Sequence, residues 1–292
     1  MNIALILNYK AATETISCAE SLLEHCPLLN HILVIDNHSM DGSEEALRDW
    51  VAQKSLENVT VLGSPENNGY AGGNNFGIRW ALEHLNAETF WVVNNDTYVD
   101  YDAFTPLLET LQQNDRQFVG SLILSADDKT LECYGGGKLF PLLGKAKLLG
   151  KGETPETMIE RNEQPDYLMG CSLAFTRRVI DEIGLMDENY FMYSEEVDWQ
   201  YRAKRTGIGI QVVPTSRLFH YGSLSSGSRS AFYHYYRNRA ATRFNKRYYG
   251  PLFAFISAFI LSAITAIKEI RNPNLIWSGV KGAFKGVTMS VK

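Results

Sequence analysis

The sequence predicts an α/β protein built on a Rossmann-like, mostly parallel mixed sheet flanked by helices, and three observations predict it. Its 292 residues are 45% hydrophobic and 21% charged, with 23 Gly and 9 Pro. That is enough apolar material for a sizeable core, and the composition excludes a disordered, collagen-like or disulfide-knotted chain. Short apolar runs alternate with helix-length amphipathic stretches, the βαβα rhythm of a sheet covered on both faces. Polar clusters follow three of the early runs, and ligands in open α/β sheets bind beyond the carboxyl ends of the strands.

Strands are expected over residues 3–7, 32–35, 59–62, 90–93, 118–124, 168–175 and 210–213, with helices over 13–25, 44–53 and 75–85. Asn8-Tyr9-Lys10 closes the first strand, Asp36-Asn37-His38-Ser39 the second, and Asn94-Asn95-Asp96-Thr97 the run ending at Val93. Any one cluster reads equally well as a polar turn. Three at one sheet edge favour a site. Residues 138–164, rich in Gly, Lys and Glu with weak periodicity, read as a long surface excursion of the kind that forms lids or substrate loops.

Cys18, Cys26, Cys133 and Cys171 show neither CxxC spacing nor a paired framework, which argues against zinc and structural disulfides and fits a reducing compartment. The first seven residues lack a basic n-region, so no signal peptide is expected and the body is assigned to the cytosol.

Charge is unevenly spread. Residues 229–292 hold eleven Lys/Arg against the single acid Glu269, a net +10, which leaves −15 on the first 228 residues of a chain totalling −5. An acidic body with a basic, apolar tail points to an anionic surface as the tail's partner. Residues 252–267 are uncharged, and as a helix they would span ~24 Å, short of the ~30 Å hydrocarbon layer. On a wheel, Leu252, Phe253, Ile256, Phe259, Ile260, Ile264 and Ile267 share one side, opposite Ala254, Ser257, Ala258, Ser262 and Thr265. An in-plane or partly inserted helix fits this better than a spanning one. Further on, Trp277, Val280, Phe284, Val287 and Val291 fall in one arc with Lys281, Lys285 and Lys292 beside it, although Gly279, Gly282 and Gly286 weaken a helix that has no surface or partner. Two regions are expected, an α/β domain over 1–225 and a basic, apolar helical region over 226–292.

Six ordered motifs across residues 3–240 carry a resemblance. They are Ile6-Leu7-Asn8-Tyr9, the stretch from Val34 to Ser43, Asn67-Asn68-Gly69-Tyr70-Ala71-Gly72-Gly73-Asn74-Asn75, Asn94-Asn95-Asp96-Thr97, Gly170-Cys171-Ser172 with Gly184 to Trp199, and His220 with Tyr235-Tyr236-Arg237-Asn238. Together they resemble the inverting family 2 glycosyltransferases of the GT-A fold, particularly the rhamnosyltransferase-like branch.

The resemblance implies roles. Asn8, Tyr9, Asp36, Asn68, Gly72, Asn74 and Asn95 would line the nucleotide-sugar pocket, with Tyr9 offering a ring face to the base and Asp36 accepting from a pyrimidine N3–H. Read alone, Asp36 to Ser43 is also a turn and helix start, and the Asn/Gly stretch a loop whose glycines allow close backbone approach. Asn94-Asn95-Asp96 stands where the family keeps Asp-x-Asp, so Asp96, completed by His220, would bind Mg²⁺ or Mn²⁺ on the diphosphate. The general base would be Glu196, with Glu195 as the alternative, where relatives carry Glu-Asp. The residues themselves also permit a helix N-terminus capped by Ser194 with an Asp198–Arg202 ion pair at i,i+4, a reading adopted here for Asp198. Arg237 resembles a position near donor or acceptor phosphate. The basic, tyrosine-rich stretch over 229–247 could alone be a nucleic-acid patch, but between catalytic motifs and an apolar helix it is assigned to lipid headgroups or a lipid-linked diphosphate, with no nucleic-acid partner.

The expectation is therefore a metal-dependent transfer of L-rhamnose from dTDP-rhamnose to a surface-polysaccharide or polyprenyl-linked saccharide acceptor, at the cytoplasmic face of the inner membrane, by a peripheral protein able to oligomerise. A UDP-sugar donor (galactofuranose, N-acetylglucosamine or galactose) and a non-catalytic sugar-nucleotide-binding protein stay open. A dinucleotide oxidoreductase does not, because Asn8-Tyr9-Lys10-Ala11-Ala12 stands where G-x-G-x-x-G would be needed.

Overall fold

The structure is a computed structural model that describes residues 1–125, 130–221 and 230–291. The first half alternates as expected: β1 (Asn2–Asn8), α1 (Ala12–His25), β2 (His31–Asp36), α2 (Ser43–Lys54), β3 (Val59–Gly63), α3 (Gly69–His84) and β4 (Thr89–Asn94). Then come β5 (Thr97–Tyr98), α4 (Phe104–Gln113), β6 (Gln117–Leu124), β7 (Leu131–Cys133), β8 (Gly136–Phe140), β9 (Lys145–Leu148), α5 (Pro155–Arg161) and β10 (Tyr167–Leu168). The chain continues through β11 (Ser172–Thr176), α6 (Arg177–Ile183), α7 (Glu195–Arg205), β12 (Gly209–His220), α8 (Ala231–Tyr249), α9 (Pro251–Lys268) and α10 (Pro273–Thr288).

The main sheet runs β3-β2-β1-β4-β11-β6-β12-β5, with β7 on β6. β1 to β4 pair in parallel, β11 runs antiparallel to both its neighbours, and β12 returns parallel to β6. It is thus a mixed sheet covered by helices. Period-two alternation sends Ile3, Leu5, Leu33, Ile35, Phe90 and Val92 to the layer with α3 and α7, and Ala4, Ile6, Ile32, Val34, Trp91 and Val93 to the layer with α1 and α4.

Three expectations change. The helix expected from residue 75 begins at Gly69. A Cβ on Gly73 would lie 2.5 Å from Leu7 Cδ1 and one on Gly77 2.7 Å from Ile35 Cδ1, so these residues seat α3 tightly on the sheet instead of freeing a loop. The run 168–175 breaks at Met169-Gly170-Cys171 into β10, which joins a small β10-β8-β9 sheet, and β11, which enters the main one. Residues 138–164 are not an irregular excursion: they hold most of the β8–β9 hairpin and α5, the latter started by Pro155 and by Thr154 Oγ1 accepting from Thr157 N. Both hairpin strands are too short for periodicity to register.

The strand expected over 210–213 extends to His220, with a shift of register between Val213 and Arg217 where Pro214 cannot donate to the ladder. Beyond it, Ser230 caps α8 by accepting from Tyr233 N at 3.0 Å. The expected boundary at 225/226, Arg229 and Lys292 lie outside the described residues.

α8 carries the last three helices onto the body. Ala240 and Phe244 pack with Tyr167, Tyr190 and Val197. α10 lies along α8 through Gly279, Gly282, Ala283 and Gly286. A Cβ on Gly282 would stand 2.1 Å from Tyr235 O, and one on Gly286 2.1 Å from Thr242 Oγ1. The glycines that weaken the helix in isolation are what let it touch its partner.

Candidate functional site

The registers Asn8↔Asp36 and Leu7↔Asn94 bring the ends of β1, β2 and β4 level. The three polar clusters do meet, and they are cross-linked. Asp36 accepts from Asn8 Nδ2 at 2.6 Å, from Ser39 Oγ at 2.5 Å and from Ser39 N at 2.9 Å. Thr15 Oγ1 donates to Asn8 Oδ1 at 2.8 Å and accepts from Asn95 Nδ2 at 3.0 Å.

Above this network lies a cavity of about 160 Å³. Of the expected donor residues, Tyr9 and Asn95 line it, together with Asp96. Asn8 and Asp36 are buried beneath it, with Asp36 committed to Asn8 and Ser39. Asn68, Gly72 and Asn74 are not in its wall. Gly72 packs within α3, where a Cβ would meet Asn68 Cβ at 2.4 Å, and buried Asn74 donates to Tyr70 O at 3.0 Å while its Oδ1 has no hydrogen-bond partner. Asn37, Asn67, Tyr70 and Phe232 line the cavity without having been anticipated. Asn37, Asn67 and Tyr70 stand inside the motifs given above, whereas nothing in the sequence pointed to Phe232, which arrives from α8.

Asp96 follows β4, and His220 is the last residue of β12, brought alongside by the pairing His220↔Thr97. His220 Nε2 lies 3.2 Å from Asp96 Oδ1, and Nδ1 lies 2.8 Å from Glu132 Oε2 on β7. Burial opposes charge on the imidazole, but the two carboxylates outweigh it and hold the group up to about 9. Asp96 Oδ1 is nonetheless a buried carboxylate oxygen without a hydrogen-bond partner, so the contact is an ion pair of imperfect geometry. A carboxylate oxygen with spare capacity facing an imidazole nitrogen suits two ligands of Mn²⁺ or Mg²⁺. Among the described residues no cluster of three such groups is disposed to hold a metal, so other ligands would come from water and phosphate.

The acid-rich segment is shaped by strain. Phe191 (φ 62°), Tyr193 (φ 69°) and Ser194 (φ 66°) all adopt the left-handed region. Tyr70 N donates to Phe191 O at 2.7 Å, and a Cβ on Gly69 (φ 67°) would fall 1.9 Å from that oxygen. Glycine at 69 therefore serves contact between α3 and this loop. Ser194 occupies the cap position of α7 but caps nothing with its side chain, because its left-handed backbone turns the hydroxyl away from the task.

Glu196 is half-buried and lines a second cavity of about 250 Å³ with Tyr193, Tyr233, Lys145 and Arg237. Burial raises its pKa against the lowering effect of the N–H groups of Glu196 and Val197. Glu195 is fully buried, its Oε2 lacks a hydrogen-bond partner, and burial together with the charge of Glu196 pushes its carboxyl well up. Asp198 is structural, as expected: it pairs with Arg202 at 3.2 Å and Arg247 at 3.1 Å and accepts from Tyr190 and Tyr248.

Tyr70 lines the first cavity and lies within electrostatic reach of the acids of both. Its hydroxyl donates to Gly170 O at 2.8 Å, and after burial the charges of Glu196, Glu195 and Asp96 all raise its pKa. Asp96 and the two glutamates thus act on one side chain. Arg237 holds Gly144 O at 2.7 Å.

The basic stretch of α8 needs correcting as a lipid-facing patch. Arg243 and Arg247 pair with Asp187, Arg247 also with Asp198, Arg239 donates to the carbonyls of Asn189 and Tyr190, and Lys246 to that of Met289. These cations tie α8 to the acid loop and to the chain end.

Residues 4–184 match glycosyl transferase family 2, more than half of the chain. The chain is 30% identical over 210 residues to the low-salt glycan biosynthesis hexosyltransferase Agl10 of Haloferax volcanii, covering 70% of this chain and 62% of that relative's length. It is 28% identical over 216 residues to the N-acetylglucosaminyl-diphospho-decaprenol L-rhamnosyltransferase of Mycobacterium tuberculosis, covering 67% and 68%. Among solved structures, GalNAc-T7 with UDP, GalNAc and Mn²⁺ superposes with a TM-score of 0.69 at 17% identity, over 97% of this chain and 56% of that one, a likeness of fold. With that profile match on a mixed sheet whose strand ends carry the polar clusters, the chain belongs to glycosyl transferase family 2.

Proposed function

We propose that the protein is an inverting, metal-dependent glycosyltransferase that moves a sugar from a nucleoside diphosphate to the hydroxyl of a lipid-linked or polysaccharide acceptor, with L-rhamnose from dTDP-rhamnose as the leading donor. One observation carries the reading: Asp96, with His220 Nε2 3.2 Å from it, stands at the strand-end cavity, and the carboxyl of Glu196 lines a second cavity with Lys145 and Arg237. Support for rhamnose is narrower, resting on the sequence motifs and on the specificity named for the mycobacterial relative, while the Haloferax relative is named only for a hexose.

In this reading the donor's base stacks on Tyr9 and its diphosphate reaches Asp96. A divalent cation held by Asp96 and His220 would neutralise charge on the departing diphosphate. Glu132 positions His220 by holding Nδ1 at 2.8 Å, and a cation between Nε2 and Asp96 would have to displace the proton that the two carboxylates keep on the imidazole. Glu196 takes the proton of the acceptor hydroxyl as the acceptor oxygen bonds the anomeric carbon and the bond from that carbon to the phosphate oxygen breaks, inverting the centre and releasing the nucleoside diphosphate. A carboxyl held above its ordinary range is a stronger base than a free glutamate, which suits this role. Lys145 and Arg237 on the same cavity suit an acceptor with a phosphate near the reacting sugar.

The helical region is assigned to a membrane surface. α9 has a mean hydropathy of 1.9 and turns its large side chains outward, with Leu252 71%, Phe259 54% and Ile267 76% exposed. Thermal-shift titration with dTDP-, UDP- and GDP-sugars, with and without Mn²⁺, tests the donor. Stabilisation by dTDP-rhamnose that needs Mn²⁺ is expected. Stabilisation by a UDP-sugar alone would move the donor assignment, and no response to any donor would overturn both the transferase and the sugar-nucleotide-binding readings.

A further inference from the structure

The β8–β9 hairpin is the part of the molecule that the transfer reaction leaves unexplained. Its connection is short and strongly apolar: Phe140 is 47%, Leu142 36% and Leu143 37% exposed. The antiparallel register sets Phe140 opposite Lys145 and Lys138 opposite Lys147, so one face of the hairpin carries three lysines and a phenylalanine. Lys138 reaches Asp166 at 3.5 Å, while Lys145 and Lys147 stand exposed. Facing like charges in an isolated hairpin weaken it; an anionic surface reverses the sign.

The tip is fixed to the helical region. Ser257 Oγ of α9 donates to Leu142 O at 3.0 Å, Asn245 Nδ2 of α8 to Pro141 O at 2.8 Å, and a Cβ on Gly144 would stand 2.9 Å from Leu261 Cδ2. Its exposed leucines therefore adjoin α9, whose outward side chains are Leu252, Phe255, Ile256 and Phe259. Leu139 and Ala146 of the other face, with Lys145 at the hairpin's end, line the 250 Å³ cavity that contains Glu196 and Arg237.

We infer that the hairpin tip (residues 140–143, with Lys145 and Lys147) is a second membrane contact, which together with α9 forms one surface for an anionic bilayer. The surface ends at the acceptor cavity, so a lipid-linked acceptor enters with its chain still in the bilayer, its phosphate beside Lys145 and Arg237 and its sugar toward Glu196. This rests on the membrane assignment of α9 and adds to it a location for the lipid–cavity junction. Apolar side chains flanked by lysines match the chemistry of an interfacial anchor, and lysines near a charged leaflet strengthen it.

Vesicle sedimentation of the full chain tests it, using phosphatidylcholine vesicles with and without phosphatidylglycerol. The variant F140S/L142S/L143S is expected to bind anionic vesicles roughly tenfold more weakly, the scale of losing three partly exposed apolar anchors, and K147E to lose the preference for phosphatidylglycerol. These side chains are exposed, so the variants should melt with the wild type. An environment-sensitive fluorophore on L143C, selective because the native thiols are buried, should shift to the blue on vesicle addition. If the triple variant binds as wild type while F255S/F259S releases the protein, the hairpin contact is overturned and the assignment of α9 survives. If wild type ignores both vesicle types, both are overturned.

Discussion

The sheet domain and the C-terminal helices solve packing in opposite ways. In the sheet domain the largest side chains are innermost: Trp91, Trp199, Phe90 and Phe175 are fully buried. In α9 and α10 the buried residues are, apart from Leu261 and Thr265, the small Ala254, Ser257, Ala258, Gly279, Gly282, Ala283 and Gly286, and most of the large ones face outward. Burying phenylalanine is what water drives. Packing helices through small residues while leaving large apolar ones outside is what helices do when their surroundings are themselves apolar. The contrast separates a body with its large apolar side chains inside from an appendage that turns most of them outward, and the acid loop is where the two are joined, through Asp187, Asp198, Arg243 and Arg247.

That contrast can be tested from its catalytic end outward. Glu196→Gln keeps shape but removes the proton acceptor, and should lower kcat by about 10²–10⁴-fold with donor affinity by calorimetry unchanged; retained turnover would move the base to Glu195. In the wild type the raised carboxyl of Glu196 implies that kcat/KM falls on acidification at a higher pH than a free glutamate would give. Glu132→Gln should weaken Mn²⁺ binding, read by electron paramagnetic resonance in the presence of nucleoside diphosphate, by about 10–100-fold. Normal Mn²⁺ affinity in that variant would reduce Glu132 to a surface acid.

Smaller effects probe the appendage. Gly282→Val would drive a side chain into the Tyr235 backbone and is expected to cost about 1–3 kcal/mol, seen as early proteolysis within residues 270–291 while the body's melting is little changed. Simultaneous loss of nucleotide binding would show that α10 supports the site. The smallest expected change is a gain. Glu195 has a folded-state pKa raised by burial, so its contribution to stability is present below the unfolded value and is lost as pH rises through the folded one. Glu195→Gln removes that loss and should raise Tm at neutral and alkaline pH by roughly 2–4 °C, with little change in acid.

Much of the site was legible locally. Asn8, Asp36 and Asn94–Thr97 follow apolar runs whose parallel pairing aligns their ends, so strand alternation alone brought them together. What local pattern could not resolve was direction. Asp36 faces Asn8 and Ser39 instead of the cavity, and Asn74 is sealed inside α3's packing. Glu132 is a lone acid between Leu131 and Cys133, and only the pairing of β6 with both β7 and β12 sets it beside His220.

The sequence by itself determined the alternating architecture, the polar strand ends, the acidic segment and an apolar tail with two unlike sides, because periodicity and charge are local properties that survive without contacts. The tertiary structure alone decided which arginines are spent on buried aspartates, why glycines line α10 and adjoin the acid loop, and where the hairpin lies. Each depends on which distant backbone arrives within van der Waals distance, and the linear order of residues does not encode that separation in any short window.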